Sequence, residues 1–232
     1  MTASVMPPAA SDARVDPLWP GSRAYGGVDK GGLEQAEARD DYALAKLLSE
    51  DLDAGFAELI RAYERMMYTL ALRVCGVPAD AEDIAAEAFL KAYSALRGYN
   101  RERLIELRLR PWLVTIQLNV WRNWVRSRAR RPTAAFPGKA GAAEGTELEL
   151  AAPGASIEEQ VELAETSREL VGLLNQLPTT QRTAIVLRHV IELPVAEIAE
   201  ILGCPPGTVK SHVSRGLKRL RSLSGLDESE AS

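Results

Sequence analysis

The sequence predicts an all-α protein of two small helical domains joined by a flexible linker, with a disordered N-terminal tail. Apolar residues recur at three-and-four spacing over about 40–131 and again over 157–224, which is typical of helices with one buried face. Between these stretches, residues 132–156 hold three prolines and several glycines and alanines without such a stripe, as linkers do. With 232 residues, 46% of them hydrophobic, the chain is long enough for two packed cores.

The N-terminal end differs from the helical stretches in composition. Residues 1–38 hold four prolines and two glycine pairs but few apolar residues, so we expect a disordered extension. The first domain, 39–131, opens with a helix from about Asp40, and Leu59, Met67 and Leu70 fall on its buried face. Gly76-Val77-Pro78 is expected to end this helix.

A second helix is predicted to follow, capped by Asp80 and ending near Leu96. When residues are placed at 100° intervals around the helix, one side is the core face. The opposite side carries small residues, acids and one leucine. That opposite side consists of Asp83, Ala86, Glu87, Leu90 and Ser94. A solvated acidic face and a docking face for a partner helix are both open interpretations.

A third helix begins where Pro111 occupies the first turn, after a loop from Gly98 to about Leu109. One face is an apolar stripe, while another carries side-chain amides and guanidinium groups. These polar positions are Asn119, Arg122, Asn123, Arg126 and Arg130. Amides, cations and nearby aromatics such as Tyr99 and Trp121 favour single-stranded DNA, and a solvated basic helix is the alternative.

The overall charge of −4 conceals two basic stretches. Residues 101–131 contain nine arginines and two glutamates, and residues 208–224 contain five cations and no acid. Because cations are needed to neutralise phosphates, both stretches are candidates for nucleic-acid binding despite the acidic average.

The second domain, 157–224, reads as four helices: 157–175, 179–191, 194–202 and 205 to about 223. Gly203 separates the last two helices, which form a helix-turn-helix whose second helix enters the major groove. The side chains predicted to reach DNA are Thr208, Lys210, Ser211, His212, Ser214, Arg215 and Lys218. Lys210 and His212 lie at the flanks, where phosphate contact is expected. A surface helix of a domain that does not bind DNA is the alternative.

Several classes of protein are not indicated. The chain shows no catalytic motif, phosphate-binding glycine loop or metal-ligand spacing, so we expect no enzyme activity, no cofactor and no metal. Cys75 and Cys204 lack a companion pattern, and no apolar run of about 18 residues occurs, so a cytoplasmic protein without a membrane partner is expected.

Two groups of motifs resemble one family. Leu177-Pro178-Thr179-Thr180-Gln181-Arg182, Glu197-Ile198-Ala199 and Gly207-Thr208-Val209-Lys210-Ser211 resemble region 4 of extracytoplasmic-function (group 4) sigma factors. Asp80-Ala81-Glu82-Asp83-Ile84, Trp112-Leu113 and Asn119 resemble region 2 of that family, in the same order along the chain.

This resemblance implies a role for each predicted face. Region 2 would cover 39–131 and dock on the β′ clamp helices of core RNA polymerase through Asp83, Ala86, Glu87 and Leu90. Its minus-10 residues would be Tyr99, Asn119, Arg122, Asn123 and Arg126. Region 4 would cover 157–224, read the minus-35 element and approach the β flap, leaving 225–232 as a tail.

Promoter DNA and an anti-sigma factor are the other partners that the resemblance implies. The alternative is a polymerase-independent regulator of the LuxR type, which carries a similar helix-turn-helix.

Overall fold

The structure is a computed structural model that describes residues 33–130 and 157–225, with side chains over 40–128 and 165–225. Helices are the only regular elements over these described residues. The all-α prediction is confirmed. The helices of the N-terminal unit (33–130) are α1 Leu33–Glu50, α2 Leu52–Cys75, α3 Pro78–Leu96, α4 Arg101–Ile105 and α5 Leu109–Arg130. Those of the C-terminal unit (157–225) are α6 Ile157–Asn175, α7 Thr179–Ile185, α8 Val195–Leu202 and α9 Pro206–Leu223. Residues 1–32, all of the predicted linker and residues 226–232 of the predicted C-terminal tail lie outside the described residues.

The start of the first helical domain differs from the sequence prediction. Helix α1 begins at Leu33, so the predicted boundary at residue 39 falls inside it. The single helix predicted from about Asp40 is two helices, because Asp51 takes an extended backbone conformation and caps α2. Its carboxylate accepts from the backbone N–H groups of Asp53 and Ala54, each at 3.1 Å.

The predicted end of α2 is confirmed at Gly76, which is left-handed with φ 81°. The predicted cap of α3 is wrong. Val77 precedes the first turn and Pro78 fixes it, whereas the Asp80 carboxylate accepts from Nη1 of Arg128 at 3.0 Å. The predicted loop before Pro111 contains the short helix α4, capped by the side chain of Asn100.

Helices α2, α3 and α5 pack around one apolar core, and a glutamine lies within it. Gln117 of α5 is fully buried, and its Nε2 donates to the backbone carbonyl of Met67 in α2 at 2.6 Å. Because an unpaired buried amide is costly, this bond favours one register between the two helices.

In the C-terminal unit, the helix predicted over 179–191 is not uniform. It is α-helical to Ile185 and then forms a π turn over Val186–Val190, in which the Ile191 N–H bonds the carbonyl of Val186 at 3.0 Å. The chain then reverses through Glu192, whose φ is 61°. Helices α8 and α9 pack together as the predicted helix-turn-helix, and α7 packs against α9.

The two units pack against each other and share one apolar core. Nη1 and Nη2 of Arg73 in α2 donate to the carbonyl and hydroxyl oxygens of Ser167 in α6, at 2.7 and 2.9 Å. Arg108, just before α5, pairs with Glu197 of α8. The side chain of Asn175, at the end of α6, lies directly over Gly76. We call this packing of the two units the closed arrangement.

No helix within 33–130 or 157–225 combines the length and the apolar character needed to cross a membrane.

Candidate nucleic-acid interface

The frame of the candidate reading helix α9 follows from local sequence. Gly203 ends α8 in the left-handed conformation, and Pro205 and Pro206 restart the helix three residues later. Val209 is fully buried against the unit. Gly216 lets α9 approach α7 closely, since a Cβ there would come within 2.5 Å of Cδ1 of Ile185. The helix is therefore held by one face only.

The predicted minus-35 set occupies the other faces of α9. Five of its members are exposed: Lys210, Ser211, Ser214, Arg215 and Lys218. Thr208 and His212 are half-buried at the sides of the helix. The set therefore consists of cations and short hydroxyl side chains on a helix open to solvent, a combination that can contact base edges and phosphates.

Two further basic side chains lie beside this helix, and sequence reasoning gave them no role. Arg188 and His189 line a cleft of about 390 Å³ together with Lys210 and Ser214 of α9. Both residues belong to the π turn, which changes the angular spacing of side chains along the helix. An α-helical period therefore could not place them next to α9.

On α5 the predicted minus-10 residues share one surface. Asn119, Asn123 and Arg126 are exposed, and Arg122 is half-buried. Nη1 of Arg122 donates to Oδ1 of Asn119 at 3.2 Å. Burial lowers the pKa of the Arg122 guanidinium, and the charge of Arg126 lowers it further. Amides and guanidinium groups therefore stand side by side, as predicted.

Tyr99 lies apart from this surface. Its ring packs on Trp112 with centroids 6.1 Å apart, and the guanidinium carbon of Arg103 lies 3.8 Å from its centroid. Trp112 precedes Asn119 by seven residues, or roughly 10 Å of helix at ~1.5 Å per residue. A base stacked on the free part of Tyr99 would thus lie about two turns from the α5 amides.

The expectation that Trp121 offers a stacking surface is wrong, because this side chain is only 6% exposed and belongs to the core. Trp124 is the more accessible indole, and the Arg128 guanidinium lies 4.6 Å from its ring centroid. Since the ion pair with Asp80 holds Arg128 in place, one face of Trp124 is covered.

The predicted polymerase-docking residues form a continuous exposed surface on α3. Asp83, Ala86, Glu87 and Leu90 all face solvent, and Leu90 is 71% exposed. Lys91 pairs with Glu87 at 3.3 Å without covering the leucine. A single exposed leucine is common on protein surfaces, so this arrangement fits both the solvated face and the docking face that the sequence leaves open.

The closed arrangement brings parts of the two predicted DNA-binding sets together. Arg122 and Arg126 of α5 and His212 of α9 line one cleft of about 530 Å³ between the units. The remaining members of the two sets do not line it. Over the described residues, no group of three or more His, Cys, Asp or Glu side chains is placed to hold a metal ion.

Comparison with known proteins assigns both units. The family "Sigma-70 region 2" matches residues 59–131, and "Sigma-70, region 4" matches residues 167–220. The ECF RNA polymerase sigma factor SigW of Bacillus subtilis is 34% identical over 173 residues, which are 74% of this chain and 89% of that protein. The ECF RNA polymerase sigma-E factor of Escherichia coli K12 is 32% identical over 182 residues, or 78% of this chain and 92% of that protein.

Solved structures agree on the fold. CnrH in complex with the cytosolic domain of CnrY has a TM-score of 0.55 at 23% identity, covering 81% of this chain and 98% of that one. RpoE of Bartonella quintana, in complex with the anti-sigma factor NepR, has a TM-score of 0.57 at 24% identity, covering 74% and 98%. A regulator of the LuxR type is not favoured, because region 2 matches as well as region 4. The chain therefore belongs to the extracytoplasmic-function (ECF) RNA polymerase sigma factors of the sigma-70 family.

Proposed function

We propose that this chain binds core RNA polymerase in the cytoplasm and directs it to promoters without any enzyme activity of its own. The observation that carries the proposal is the presence of two open basic helices, α5 and α9, in separate units, together with an uncovered apolar and acidic surface on α3. One surface binds the polymerase and the two helices bind DNA.

Helix α3 supplies the docking surface for the β′ clamp helices. Covering Leu90 contributes about 1.5 to 3 kcal/mol from the removal of apolar area from water. Asp83 and Glu87, about two turns and one turn before Leu90 on α3, favour a partner surface that presents cations beside an apolar pocket. The β flap is the second polymerase contact that we assign, to the C-terminal unit.

Helix α5 binds the unpaired minus-10 strand. Side-chain amides both donate and accept, so Asn119 and Asn123 can pair with base edges that become accessible once the duplex opens. Arg122 and Arg126 neutralise the phosphates of the same strand. Tyr99 offers a stacking surface for a base displaced by about two turns of the helix.

Helix α9 enters the major groove of the minus-35 element. Arg215 can make two hydrogen bonds to a guanine edge, and Lys218 can reach guanine or phosphate. The hydroxyls of Thr208, Ser211 and Ser214 adapt to base edges or backbone. Lys210 and His212 contact phosphates at the sides of the helix.

The closed arrangement has to open for both elements to be bound at once. The minus-10 and minus-35 elements are roughly 50 to 65 Å apart, somewhat under two turns of ~34 Å. In the closed arrangement Arg126 of α5 and His212 of α9 line the same cleft. A linker of about 25 residues can span ~80 Å when extended, which is enough for the separation. An anti-sigma factor is a further partner that we propose on the family relationship.

Transcription in vitro with core polymerase tests the proposal. The N119A/N123A variant is compared on a duplex promoter and on the same promoter opened by mismatches around minus 10. We expect the loss on the closed duplex to exceed the loss on the open template, while core binding stays unchanged, because the amides act after docking. Gln176→Ala removes an exposed amide of the other unit and serves as the matched control. Equal losses on both templates, or none, would refute the role of α5.

A further inference from the structure

The cleft between the two units has the size of a ligand site. Its volume is about 530 Å³, within the range of pockets that hold small molecules. One wall comes from the end of α2 and the C-terminal half of α5. The other comes from α7, the end of α8, the turn after it and His212 of α9. The cleft exists only while the two units are packed together.

The charge of the cleft is positive on both walls. Arg122 and Arg126 contribute from the N-terminal unit, and Arg182 contributes from the C-terminal unit. No carboxylate is among the side chains that line it, and His212 adds an imidazole with an N–H donor. Three guanidinium groups in the lining, with no acid among the lining side chains, favour an anion in the cleft.

Arg182 is the guanidinium that the C-terminal unit contributes to the lining. Its Nη1 donates to the amide oxygen of Asn175, but its Nε is buried and has no hydrogen-bond partner among the described residues. Burial lowers the pKa of this guanidinium, as it lowers the pKa of Arg122. A phosphate group in the cleft would accept charge-assisted hydrogen bonds from guanidinium groups that line it.

The rest of the lining is apolar and aromatic. Trp124 and Val125 lie on one wall and Leu202 on the other, while the exposed Thr179 and Thr180 add hydroxyl groups. A flat apolar ring packs well against such walls, because indole and guanidinium planes stack on aromatic bases. Inorganic anions alone would leave these surfaces unused.

We propose that this cleft binds a nucleotide, with its phosphates on Arg122, Arg126 and Arg182 and its base against the Trp124 wall. The same chemistry is offered by a free nucleoside diphosphate and by a short piece of unpaired DNA. A ligand held by both walls stabilises the closed arrangement. It therefore opposes promoter binding, a consequence that rests on the proposed function.

Binding is measured on the full chain without polymerase or promoter, by titration calorimetry and tryptophan fluorescence near 0.15 M salt. At this ionic strength exposed charges are screened beyond about 8 Å, so scattered surface binding is weak. The probes are ADP, pyrophosphate, adenosine and a short single-stranded oligonucleotide. We expect saturable 1:1 binding of ADP, weaker binding of pyrophosphate and still weaker binding of adenosine.

Variants are made on both walls, so that the test does not depend on whether any single variant folds correctly. Arg182→Gln and Arg126→Gln should each weaken ADP about tenfold or more, the loss expected for a charge-assisted hydrogen bond. Arg219→Gln, which removes a charge from an exposed part of α9 outside the cleft, should leave the affinity within about twofold. Tighter binding of the oligonucleotide than of ADP, weakened about tenfold in Arg182→Gln but not in Arg219→Gln, would support the site and identify DNA as the source.

Three results would overturn the proposal: no saturable binding of any probe, equal affinity of ADP and pyrophosphate, or the same affinity for the two cleft variants and the control. A chain that fails this test but still initiates transcription with core polymerase leaves the proposed function intact. A chain that binds ADP but never supports initiation rejects the function and keeps the site.

Discussion

Gly76 is the position where the contact between the two units can be tested most directly. It ends α2 with φ 81°, and a Cβ added to it would overlap the side-chain amide of Asn175. That amide accepts the hydrogen bond from Arg182. Gly76→Ala therefore has two effects: it strains the backbone, and it displaces Asn175 from Arg182.

Both effects have expected sizes. An L-residue in the left-handed region costs about 1 to 2 kcal/mol. Asn175 is exposed and can swing away, so the overlap itself is relieved at the cost of its bond to a charged group, about 1.5 kcal/mol. We expect Gly76→Ala to lower the free energy of unfolding by about 2.5 to 3.5 kcal/mol. Asn175→Ala alone should lower it by about 1.5 kcal/mol.

The two changes should not be additive. In Asn175→Ala the bond is already lost, so adding Gly76→Ala costs only the backbone strain, and the double variant should be no less stable than Gly76→Ala alone. The coupling in a double-mutant cycle is then about 1.5 kcal/mol. Gly203→Ala is the matched control, since Gly203 is also left-handed, with φ 65°, but has no atom within 4 Å of an added Cβ.

Urea unfolding followed by circular dichroism gives these free energies. Gly203→Ala should cost only the strain, about 1 to 2 kcal/mol. If the Gly76 and Asn175 changes are additive within about 0.5 kcal/mol, the end of α6 does not lie on α2 in solution, and the closed arrangement is refuted.

Three further predictions concern the surfaces and one thiol. The charge reversals Asp83→Lys and Glu87→Lys should weaken binding to core polymerase about tenfold or more without changing helicity. Leu90→Ser should weaken binding as much while changing the free energy of unfolding by less than about 0.5 kcal/mol. If these variants pull down core polymerase as well as the wild type does, the docking surface is rejected. On a minus-35 duplex, Arg215→Ala should cost about 1 to 3 kcal/mol of binding free energy and relax the preference at one base position. Lys218→Ala should lower the affinity for all DNA sequences and reduce the slope of log affinity against log salt by about 1. Wild-type affinity and slope in both variants would show that the open face of α9 is misassigned. Burial raises the pKa of the Cys75 thiol. In a Cys204→Ser background, alkylation of Cys75 should therefore reach half its maximal rate at a higher pH in the folded chain than in the chain unfolded by urea. The reverse order would contradict the burial of this thiol.

Local periodicity predicted most of the helical segments and most exposed faces, but not the break at Asp51, the short helix α4 or the π turn after Ile185. The three-and-four spacing put Leu90 of α3 and Arg215 of α9 on open sides, because each helix has one strongly apolar stripe that must be buried. The glycines themselves predicted the helix ends at Gly76 and Gly203, because glycine adopts the left-handed conformation at low cost.

Features that depend on distant residues could not be predicted in this way. Asp80 pairs with Arg128, 48 residues away, instead of capping its own helix. Trp121 is buried because neighbouring helices cover it, which no pattern within α5 reveals. The cleft lined by Arg126 and Arg182 arises from packing between units, and its residues come from five separate stretches of the chain.

The ion pair between Arg108 and Glu197 has an unexpected consequence for variation in this protein. If only a fraction of molecules is open, the apparent affinity for a promoter is the intrinsic affinity multiplied by that fraction. Removing a cation normally weakens DNA binding, but replacing Arg108 releases Glu197 of the helix-turn-helix and enlarges the open population. Natural variants at residue 108 would then be more active at every promoter, with no change in any residue that reads DNA.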